Sequence, residues 1–291
     1  MIYSIQNQSL SVRISRQGAE LQSILLDGRE YLWQGDPVVW GDRSPVLFPI
    51  VGRIKNGSVY QYQGKAYQIH SPHGFAAGSL FAAEQTASDR CCFRLTDSEQ
   101  TRASYPFRFC FDVTYQVQDN TLLMSYRVKN RGDEPMYFSC GAHPGFRVPC
   151  DETTAFEDWF LEFDSREVPE RILLSGPFLS GRTEPYHLQK GRIHLRHSLF
   201  DSDAVILQGL KHRTVAIASD KSPHRITAEC GDFAYLGFWH AVGDSSRYVC
   251  IEPWDGLPSH WEGEENLETK PAIRCLAPGE EKVYHITFCF E

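Results

Sequence analysis

Hydrophobic and polar residues alternate with a period of two along much of the chain. Between Phe107 and Val117 the odd-numbered positions are all aromatic or valine. The even-numbered positions between them are Arg108, Cys110, Asp112, Thr114 and Gln116. Successive side chains of a β-strand point to opposite faces, so this pattern predicts a strand with one face on a core and the other largely in water.

Further segments repeat the pattern and are joined by short turns. Residues Leu122 to Val128 alternate again, and Asp119–Asn120 separates them from the first strand, which indicates a hairpin. Tyr60 to Ile69 indicates a second hairpin around Gln63–Gly64, and the last residues alternate from Tyr284 to Phe290. Repeated strands at short intervals are typical of a β-sandwich or a β-barrel.

Helical periodicity is weak in this sequence. We expect only short helical turns, near Ser98–Ala103 and Pro253–Ser259. No segment has the length and composition of a flexible linker, and no internal repeat is visible. The sequence therefore predicts an all-β protein with a single domain over residues 1–291.

Composition and charge narrow the class of function. The 291 residues are 42% hydrophobic, carry a net charge of −8 and have a pI of about 5.8. Nucleic-acid binding needs a concentrated basic surface, which the scattered Lys and Arg residues do not provide, so no nucleic-acid partner is expected. The first residues do not resemble a signal peptide, and no apolar stretch approaches the roughly 18 residues of a membrane span. We expect a cytoplasmic protein without a membrane partner.

Cysteine usage and the common nucleotide motifs give no positive signal. The nine cysteines include no CxxC spacing, so reduced, mostly structural thiols are expected rather than a disulfide framework or a zinc ribbon. The chain has no GxGxxG after a strand, no P-loop and no GxSxG, so neither a nucleotide-binding loop nor a nucleophile elbow is indicated. A small neutral or weakly charged ligand fits this composition better.

Three short segments combine ionisable groups with turn residues and aromatics. They read HSPHGF from His70, GAHPGF from Gly141 and IEPWDG from Ile251. In each segment an acid or an imidazole follows a predicted strand, at a point where Pro or Gly turns the chain. Rigid scaffolds often hold reactive groups at such strand ends.

Each of these residues also has a simpler structural interpretation. His143 can fill a turn, Glu252 can finish a strand, and tryptophans such as Trp239 and Trp254 can be core or rim residues. His70 and His73 have the H-x-x-H spacing of some metal ligands. On a strand this spacing places the two imidazoles on opposite faces, so no metal site is predicted.

Four motifs follow one another along the chain: FPIVGRI from Phe48, HGF from His73, GAHPGF from Gly141 and CIEPWDG from Cys250. In this order they resemble the motifs of aldose 1-epimerases, also called galactose mutarotases, and most closely the divergent bacterial branch associated with lactose operons. The resemblance spans nearly the whole chain. It implies a large antiparallel β-sandwich of the supersandwich type, with an open cleft for a monosaccharide and no need for a cofactor or a metal.

The resemblance also implies roles for single residues. Glu252 matches the general base and His143 matches the general acid. The implied sugar-binding residues are a second cleft histidine that supports the ring, an arginine that contacts hydroxyls and an aspartate that binds further hydroxyls, namely His73, Arg53 and Asp203.

Anomer interconversion explains the need for an acid and a base. A base removes the proton of the C1 hydroxyl while an acid protonates the ring oxygen; the ring opens, C1–C2 rotates, and the roles reverse on closure. For the reaction to run near pH 7 we expect that in the complex with sugar Glu252 is ionised and His143 is at least partly protonated, states favoured by their mutual attraction. The two groups should lie on opposite sides of the C1–O5 bond with a gap that admits a pyranose. Phe75 or Trp254 would stack against the apolar face of the sugar.

Two positions depart from the family pattern. Gly52 stands where typical members carry Asn, and Ala77 stands where relatives that act on hexose 6-phosphates carry the Arg of HGFAR. These departures motivate a second hypothesis, a sugar-binding protein that kept the cleft and lost catalysis. A third hypothesis is a glycoside hydrolase that pairs Glu252 with Asp255 or Asp203. The identity of the sugar, its phosphorylation and the oligomeric state are left open by the sequence.

Overall fold

Antiparallel β-strands make up most of the structure, a computed structural model that describes residues 1–164 and 167–291. The strands of the first half of the chain are β1 (Ile2–Gln6), β2 (Leu10–Ser15), β3 (Leu21–Leu26), β4 (Arg29–Glu30), β5 (Val46–Leu47), β6 (Val59–Tyr62), β7 (Lys65–Gln68), β8 (Ala82–Ala87), β9 (Arg90–Thr96), β10 (Phe109–Gln118), β11 (Thr121–Asn130), β12 (Met136–Phe138), β13 (Cys140–Ala142) and β14 (Gly145–Arg147). The strands that follow are β15 (Trp159–Phe163), β16 (Glu170–Ser175), β17 (Phe178–Pro185), β18 (Arg192–His194), β19 (Val205–Gln208), β20 (Thr214–Ser219), β21 (Ile226–Glu229), β22 (Tyr235–Trp239), β23 (Tyr248–Asp255), β24 (Arg274–Leu276) and β25 (Glu281–Phe290).

Two large sheets form the body of the protein. One has the strand order β18-β15-β20-β21-β25-β11-β10-β9-β8, and the other has the order β17-β16-β19-β22-β23-β13-β5, with β14 also paired to β23. Smaller sheets consist of β1 to β4, of β6 with β7, and of β12 with β24. The strand pairs of both large sheets are antiparallel. The predicted all-β antiparallel sandwich is confirmed.

The hairpins expected from the alternating pattern are present. β10 and β11 pair along their whole length around Asp119–Asn120. β6 and β7 pair around Gln63 and Gly64, whose φ angles are 47° and 72°. Positive φ at both central residues is the feature of turns whose twist matches that of the two strands they join.

Burial along β10 follows the predicted alternation on one face only. The odd-numbered side chains from Phe107 to Val117 are buried, as expected. On the opposite face Cys110 and Asp112 are buried as well, contrary to the expectation of a largely solvated face. Arg94 and Arg127 each donate two hydrogen bonds to the Asp112 carboxylate, and this pairing offsets the cost of burying its charge.

Helical structure is limited to short segments. The helix α1 (Glu99–Ser104) lies where a helical turn is predicted, and Ser98 caps it by accepting the backbone N–H of Thr101. Single 3-10 turns occur at Asn56–Ser58, Phe156–Asp158, His197–Phe200 and Leu267–Thr269. The helical turn predicted over Pro253–Ser259 is wrong, because β23 continues as a strand to Asp255. Among the described residues, no helical segment has the length and apolar character that crossing a membrane requires.

β23 lies within the eight-stranded sheet and is buried on both faces. Along β19, Val205 and Leu207 join a core cluster shared with the nine-stranded sheet, whereas Ile206 joins a second, smaller cluster that includes Trp254. All eight residues of β23 are buried, as expected of a strand that is covered on both sides. Ala204, Ile206 and Trp254 of the second cluster also line a cleft on the outer face of this sheet.

Candidate active site

The floor of the cleft lies where β13 and β14 meet β23. Both strands pair with β23 in one register, through the residue pairs Gly141–Trp254 and Gly145–Cys250. His143 lies midway between the two glycines and therefore opposite Glu252, and 3.1 Å separates His143 Nε2 from Glu252 Oε2. Since residues two apart on a strand share a face, Cys250, Glu252 and Trp254 point to the same side of the sheet.

The sequence predicted that Glu252 follows the end of a strand, but in the structure it lies within one. β23 runs through Pro253 without a break. The backbone of Pro253 faces the gap between β13 and β14, where Ile251, two residues earlier, donates its N–H to the carbonyl of Pro144. A proline, which has no N–H, is tolerated in a strand where no ladder bond is required. His143 occupies the same gap.

Aromatic rings enclose the imidazole of His143. The ring centroids of Trp40 and Trp239 lie 5.2 Å and 5.6 Å from it. Gly145 makes room for this arrangement, because a Cβ atom there would lie 2.7 Å from Cζ3 of Trp40. Trp40 was not among the predicted site residues, since no local pattern links it to the later motifs.

Three buried polar atoms at the floor have no aligned hydrogen-bond partner among the described residues. They are Glu252 Oε1, His143 Nδ1 and Trp254 Nε1. The indole N–H of Trp254 is close enough to Glu252 to favour its carboxylate form, although the two groups lack hydrogen-bond geometry. Nearly all buried polar groups in folded proteins pair with protein or water.

Burial decides the protonation of the pair without substrate. Glu252 is 1% exposed and His143 is 8% exposed. Burial, helped by the negative charge of Asp203, raises the pKa of Glu252 well above its ordinary value. Burial and repulsion from His73 lower the pKa of His143 well below its ordinary value. The favoured state is thus a neutral carboxyl beside a neutral imidazole. The ion pair expected for the complex with sugar is thus not the favoured state without substrate, because burial disfavours the charged form of each group.

The separation of the pair also differs from the expectation. The sequence predicts a gap that admits a pyranose, whereas the two groups lie at hydrogen-bonding distance. The reacting oxygens O1 and O5 are both bonded to C1, so an acid and a base that serve them must be neighbours as well. A sugar that enters from the cleft can meet both groups on one side of its C1–O5 bond.

His73 is held as a neutral hydrogen-bond donor beside this pair. The backbone N–H of Gly52 donates to His73 Nδ1 at 3.2 Å, so the ring proton of a neutral imidazole resides on Nε2. Burial, followed by the positive charges of Arg53 and Lys270, lowers the pKa of His73 to about 4. Its ring centroid lies 5.5 Å from that of His143. His73 therefore stays uncharged at neutral pH.

Arg53 and Asp203 line the same cleft, whose volume is about 770 Å³. Arg53 is exposed and makes no side-chain hydrogen bond or ion pair with the part of the chain that the structure describes. Asp203 accepts the backbone N–H of Ala204 at 2.8 Å, and burial raises the pKa of its carboxyl. The cleft thus combines one free guanidinium with hydrogen-bonding groups, in a volume typical of small-molecule sites, about 300–1,000 Å³.

Phe75 does not line the cleft, and its predicted stacking on the sugar is wrong. His73 and Gly74 have φ angles of 62° and 87°, which turn the chain so that Phe75 packs against Phe48 of the core at a centroid distance of 6.1 Å. Trp254 does line the cleft. Only 3% of Trp254 is exposed, so it offers a ligand a small part of its surface.

The two departures from the family pattern have different surroundings. Gly52 has a φ of 74°, and a Cβ atom there would lie 2.5 Å from Pro258 Cγ. Close contact with Pro258 and left-handed backbone therefore require glycine at position 52. Ala77 is exposed and is not among the residues that line the cleft.

A buried lysine that the sequence did not single out supports the wall of the cleft formed by Gly52 and Pro258. Lys270 is 4% exposed, and its ammonium group donates to the carbonyls of Val51 and Leu257. These carbonyls precede Gly52 and Pro258, the two residues in close contact. Burial lowers the pKa of Lys270 to about 8.

Metal-ligand atoms converge at one place among the described residues. The group comprises His143, Cys250 and Glu252, whose ligand atoms all lie within 4.8 Å of one another. Cys250 was grouped with the structural thiols at the level of sequence. The spacing of His70 and His73 does not bring these two imidazoles into the group.

Known proteins share both the sequence and the fold of this chain. The sequence pattern of the family described as Aldose 1-epimerase matches residues 1–289. The chromosomal form of protein LacX from Lactococcus lactis subsp. lactis is 31% identical over 298 residues, which cover 99% of this chain and 99% of the relative. These matches extend over nearly the whole chain.

Solved structures give the same result. A galactose mutarotase related enzyme from Lactobacillus acidophilus has a TM-score of 0.96 and 34% identity, covering 100% of this chain and 97% of its own. A galactose mutarotase-like protein from Lactobacillus casei has a TM-score of 0.93 and 30% identity, with 100% of both chains covered. With a galactose mutarotase-like β-sandwich and a family match from residue 1 to residue 289, the chain belongs to the aldose 1-epimerase family.

Proposed function

We propose that the protein interconverts the α and β anomers of a free aldose, with Glu252 as general base and His143 as general acid. The observation that carries this proposal is the buried contact of 3.1 Å between Glu252 and His143 at the floor of the cleft. The unpaired Glu252 Oε1 beside it supports the proposal, because a sugar hydroxyl can donate to this oxygen.

The neutral pair can become the reactive pair, a carboxylate and an imidazolium, without exchanging a proton with solvent. A carboxyl beside an imidazole and a carboxylate beside an imidazolium contain the same number of protons. When the C1 hydroxyl donates to Glu252 Oε1, the carboxylate is stabilised and the shared proton moves to His143 Nε2. Glu252 then takes the hydroxyl proton while His143 protonates O5, which opens the ring; closure after rotation about C1–C2 reverses both transfers.

The remaining cleft residues suit the binding of a sugar. We assign His73 Nε2–H and the guanidinium of Arg53 as donors to ring or hydroxyl oxygens, and the Asp203 carboxyl as a partner for further hydroxyls. Trp254 contributes the apolar part of the floor. Fixed donors and acceptors of this kind orient the substrate relative to the acid and the base.

Hydrolysis with Asp255 as the second carboxylate is not supported. Asp255 lies three residues from Glu252 on the same strand and so faces the opposite side of the sheet. It is fully buried there, where it accepts hydrogen bonds from Arg274 at 2.7 Å and 2.6 Å and from the Tyr284 hydroxyl at 2.6 Å. The Asp255 carboxylate therefore has a structural role in the core and cannot reach a sugar in the cleft.

Anomer exchange of free aldoses, measured by saturation-transfer NMR or polarimetry over a panel of sugars, tests the proposal. Glu252→Gln and His143→Asn should each slow the reaction at least about 100-fold, since positioned acid–base groups typically contribute 10²–10⁴-fold. Glu229→Gln, an exposed residue of β21 in the other large sheet, is the control and should retain full activity.

Two outcomes would contradict this function. One is full activity in Glu252→Gln. The other is calorimetric sugar binding by the unaltered protein with no acceleration of exchange on any sugar, which would favour the sugar-binding hypothesis instead.

A further inference from the structure

The buried thiol of Cys250 lies next to the proposed acid–base pair. Cys250 precedes Glu252 by two residues on β23 and shares its face, and it is paired across the sheet with Gly145, two residues after His143. The register therefore assembles a nitrogen, a sulfur and an oxygen donor, all within 4.8 Å of one another. No step of the proposed anomer exchange uses the thiol.

We propose that His143, Cys250 and Glu252 form a binding site for a soft divalent cation such as Zn²⁺, and that the bound cation inhibits the enzyme. The inhibitory part rests on the proposed function, whereas binding of the cation does not. The site would hold the metal by three protein ligands and leave a fourth position toward the cleft.

The donor set fits zinc in kind, and the distance between its imidazole and carboxylate donors fits zinc as well. Zinc takes thiolate, imidazole and carboxylate ligands at about 2.0–2.3 Å, so donor atoms around one tetrahedral ion lie roughly 3–4 Å apart. The contact between His143 Nε2 and Glu252 Oε2, at 3.1 Å, already has this spacing. A thiolate and an imidazole select against Mg²⁺ and Ca²⁺, which prefer sites made of oxygen alone.

Charge balance also favours a divalent ion at this depth. Cys250 is fully buried and Glu252 is 1% exposed. Binding displaces the thiol proton of Cys250 and the carboxyl proton of Glu252, which leave to solvent, and forms the metal–sulfur and metal–oxygen bonds. One thiolate, one carboxylate and one neutral imidazole then balance the two charges of the ion, so the buried cluster stays neutral.

Inhibition follows from the atoms that the ion would occupy. The metal would be bound to His143 Nε2, the atom that protonates O5, and to Glu252 Oε2, and its charge would make the remaining oxygen Oε1 a much weaker base. The pair could then neither accept the proton of the C1 hydroxyl nor protonate O5.

Cobalt spectroscopy tests the site without any sugar. Chelator-treated protein is titrated with Co²⁺ in a Cys275→Ser background, because Cys275 is the exposed thiol among the described cysteines. We expect one equivalent to bind with a near-ultraviolet thiolate-to-cobalt absorption band, and Zn²⁺ to displace it. Cys250→Ala should abolish the band, whereas Cys91→Ala, which removes another fully buried thiol, should retain it.

Calorimetry and exchange assays complete the test. Zn²⁺ should bind with 1:1 stoichiometry, and Cys250→Ala or Cys250→Ser should weaken its binding at least tenfold; the serine variant is used if the alanine variant does not fold. Zn²⁺ should inhibit anomer exchange and EDTA should restore it, with a smaller fractional loss of activity in the Cys250 variants.

Absence of 1:1 binding, or an unchanged cobalt band in the Cys250 variants, would overturn the site. Binding without inhibition of a working enzyme would overturn only the inhibitory part, and absence of exchange without metal would reject the proposed function instead.

Discussion

For Glu252 and His143, the sequence predicted membership of the site but not the protonation state without substrate. Both were expected in the site from their motifs, and the structure brings them into contact. Their protonation depends on burial, which raises the pKa of one group and lowers that of the other. Burial is a property of the folded environment, so the sequence alone did not predict the charge state of the pair without substrate.

The opposed pKa shifts predict a broad pH plateau for anomer exchange. With one shared proton the pair is neutral; a second proton creates a buried positive charge, and loss of the proton creates a buried negative charge. Activity should therefore persist as pH falls below 6.5, the ordinary value for His, and should fall on the alkaline side only at a pH well above 4.5, the ordinary value for Glu.

The exchange rate at sugar concentrations well below KM, measured between roughly pH 4 and pH 9, checks this prediction, because it reports the pKa values of the enzyme without substrate. Glu229→Gln again provides the control profile. An acidic limb with its midpoint at or above pH 6.5 would contradict the expected burial effect.

At the scale of elements, the site is the product of one strand register. His143 is opposite Glu252 because Gly141 pairs with Trp254 and Gly145 pairs with Cys250. The spacings Gly-x-His-x-Gly and Cys-x-Glu-x-Trp have the period of two that marks strands. This signal was present in the sequence, but the prolines in both segments led to their interpretation as turns.

Substitution of Gly145 by alanine should disturb this register. The new Cβ atom would lie 2.7 Å from Trp40 Cζ3, so the indole or the strand must move, at a cost of about 1–3 kcal/mol. Chemical denaturation should show this loss of stability, and the exchange rate per folded molecule should also fall. Gly231→Ala, where a Cβ atom would meet nothing within 4 Å, should leave both unchanged. Equal effects of the two substitutions would show that the contact with Trp40 is unimportant.

At the scale of the whole molecule, the sheet that contains β23 supports the site from behind. Its inner face packs on the nine-stranded sheet, while its outer face forms the cleft. The main core cluster connects Ile5 with Phe290. We therefore propose that residues 1–291 form one domain, with the candidate site on the outside of its core.

Truncation in the main core should reduce stability without changing the site. Phe111 is fully buried and stacks on Phe48 at a centroid distance of 4.6 Å. Phe111→Ala should lower the free energy of unfolding by about 3–5 kcal/mol, measured by urea denaturation, in a single transition if the chain is one domain. Phe178→Ala, on the edge strand β17 and only partly buried, should cost less. Two separate transitions would contradict the proposal of one domain, and equal costs would contradict the assigned packing.

The sequence by itself determined the all-β class, two of the hairpins and the family. These depend on alternation and turn residues close together along the chain, and on motifs whose order is a property of the sequence. Tertiary structure decided which residues meet. Trp40 lines the cleft, Cys250 lies next to the acid–base pair, Lys270 supports the backbone behind Gly52 and Pro258, and Phe75 packs in the core instead, because contacts between distant segments are set by register and packing. Burial then decided the protonation of Glu252 and His143, since the cost of a charge depends on the surrounding protein and not on neighbours in sequence.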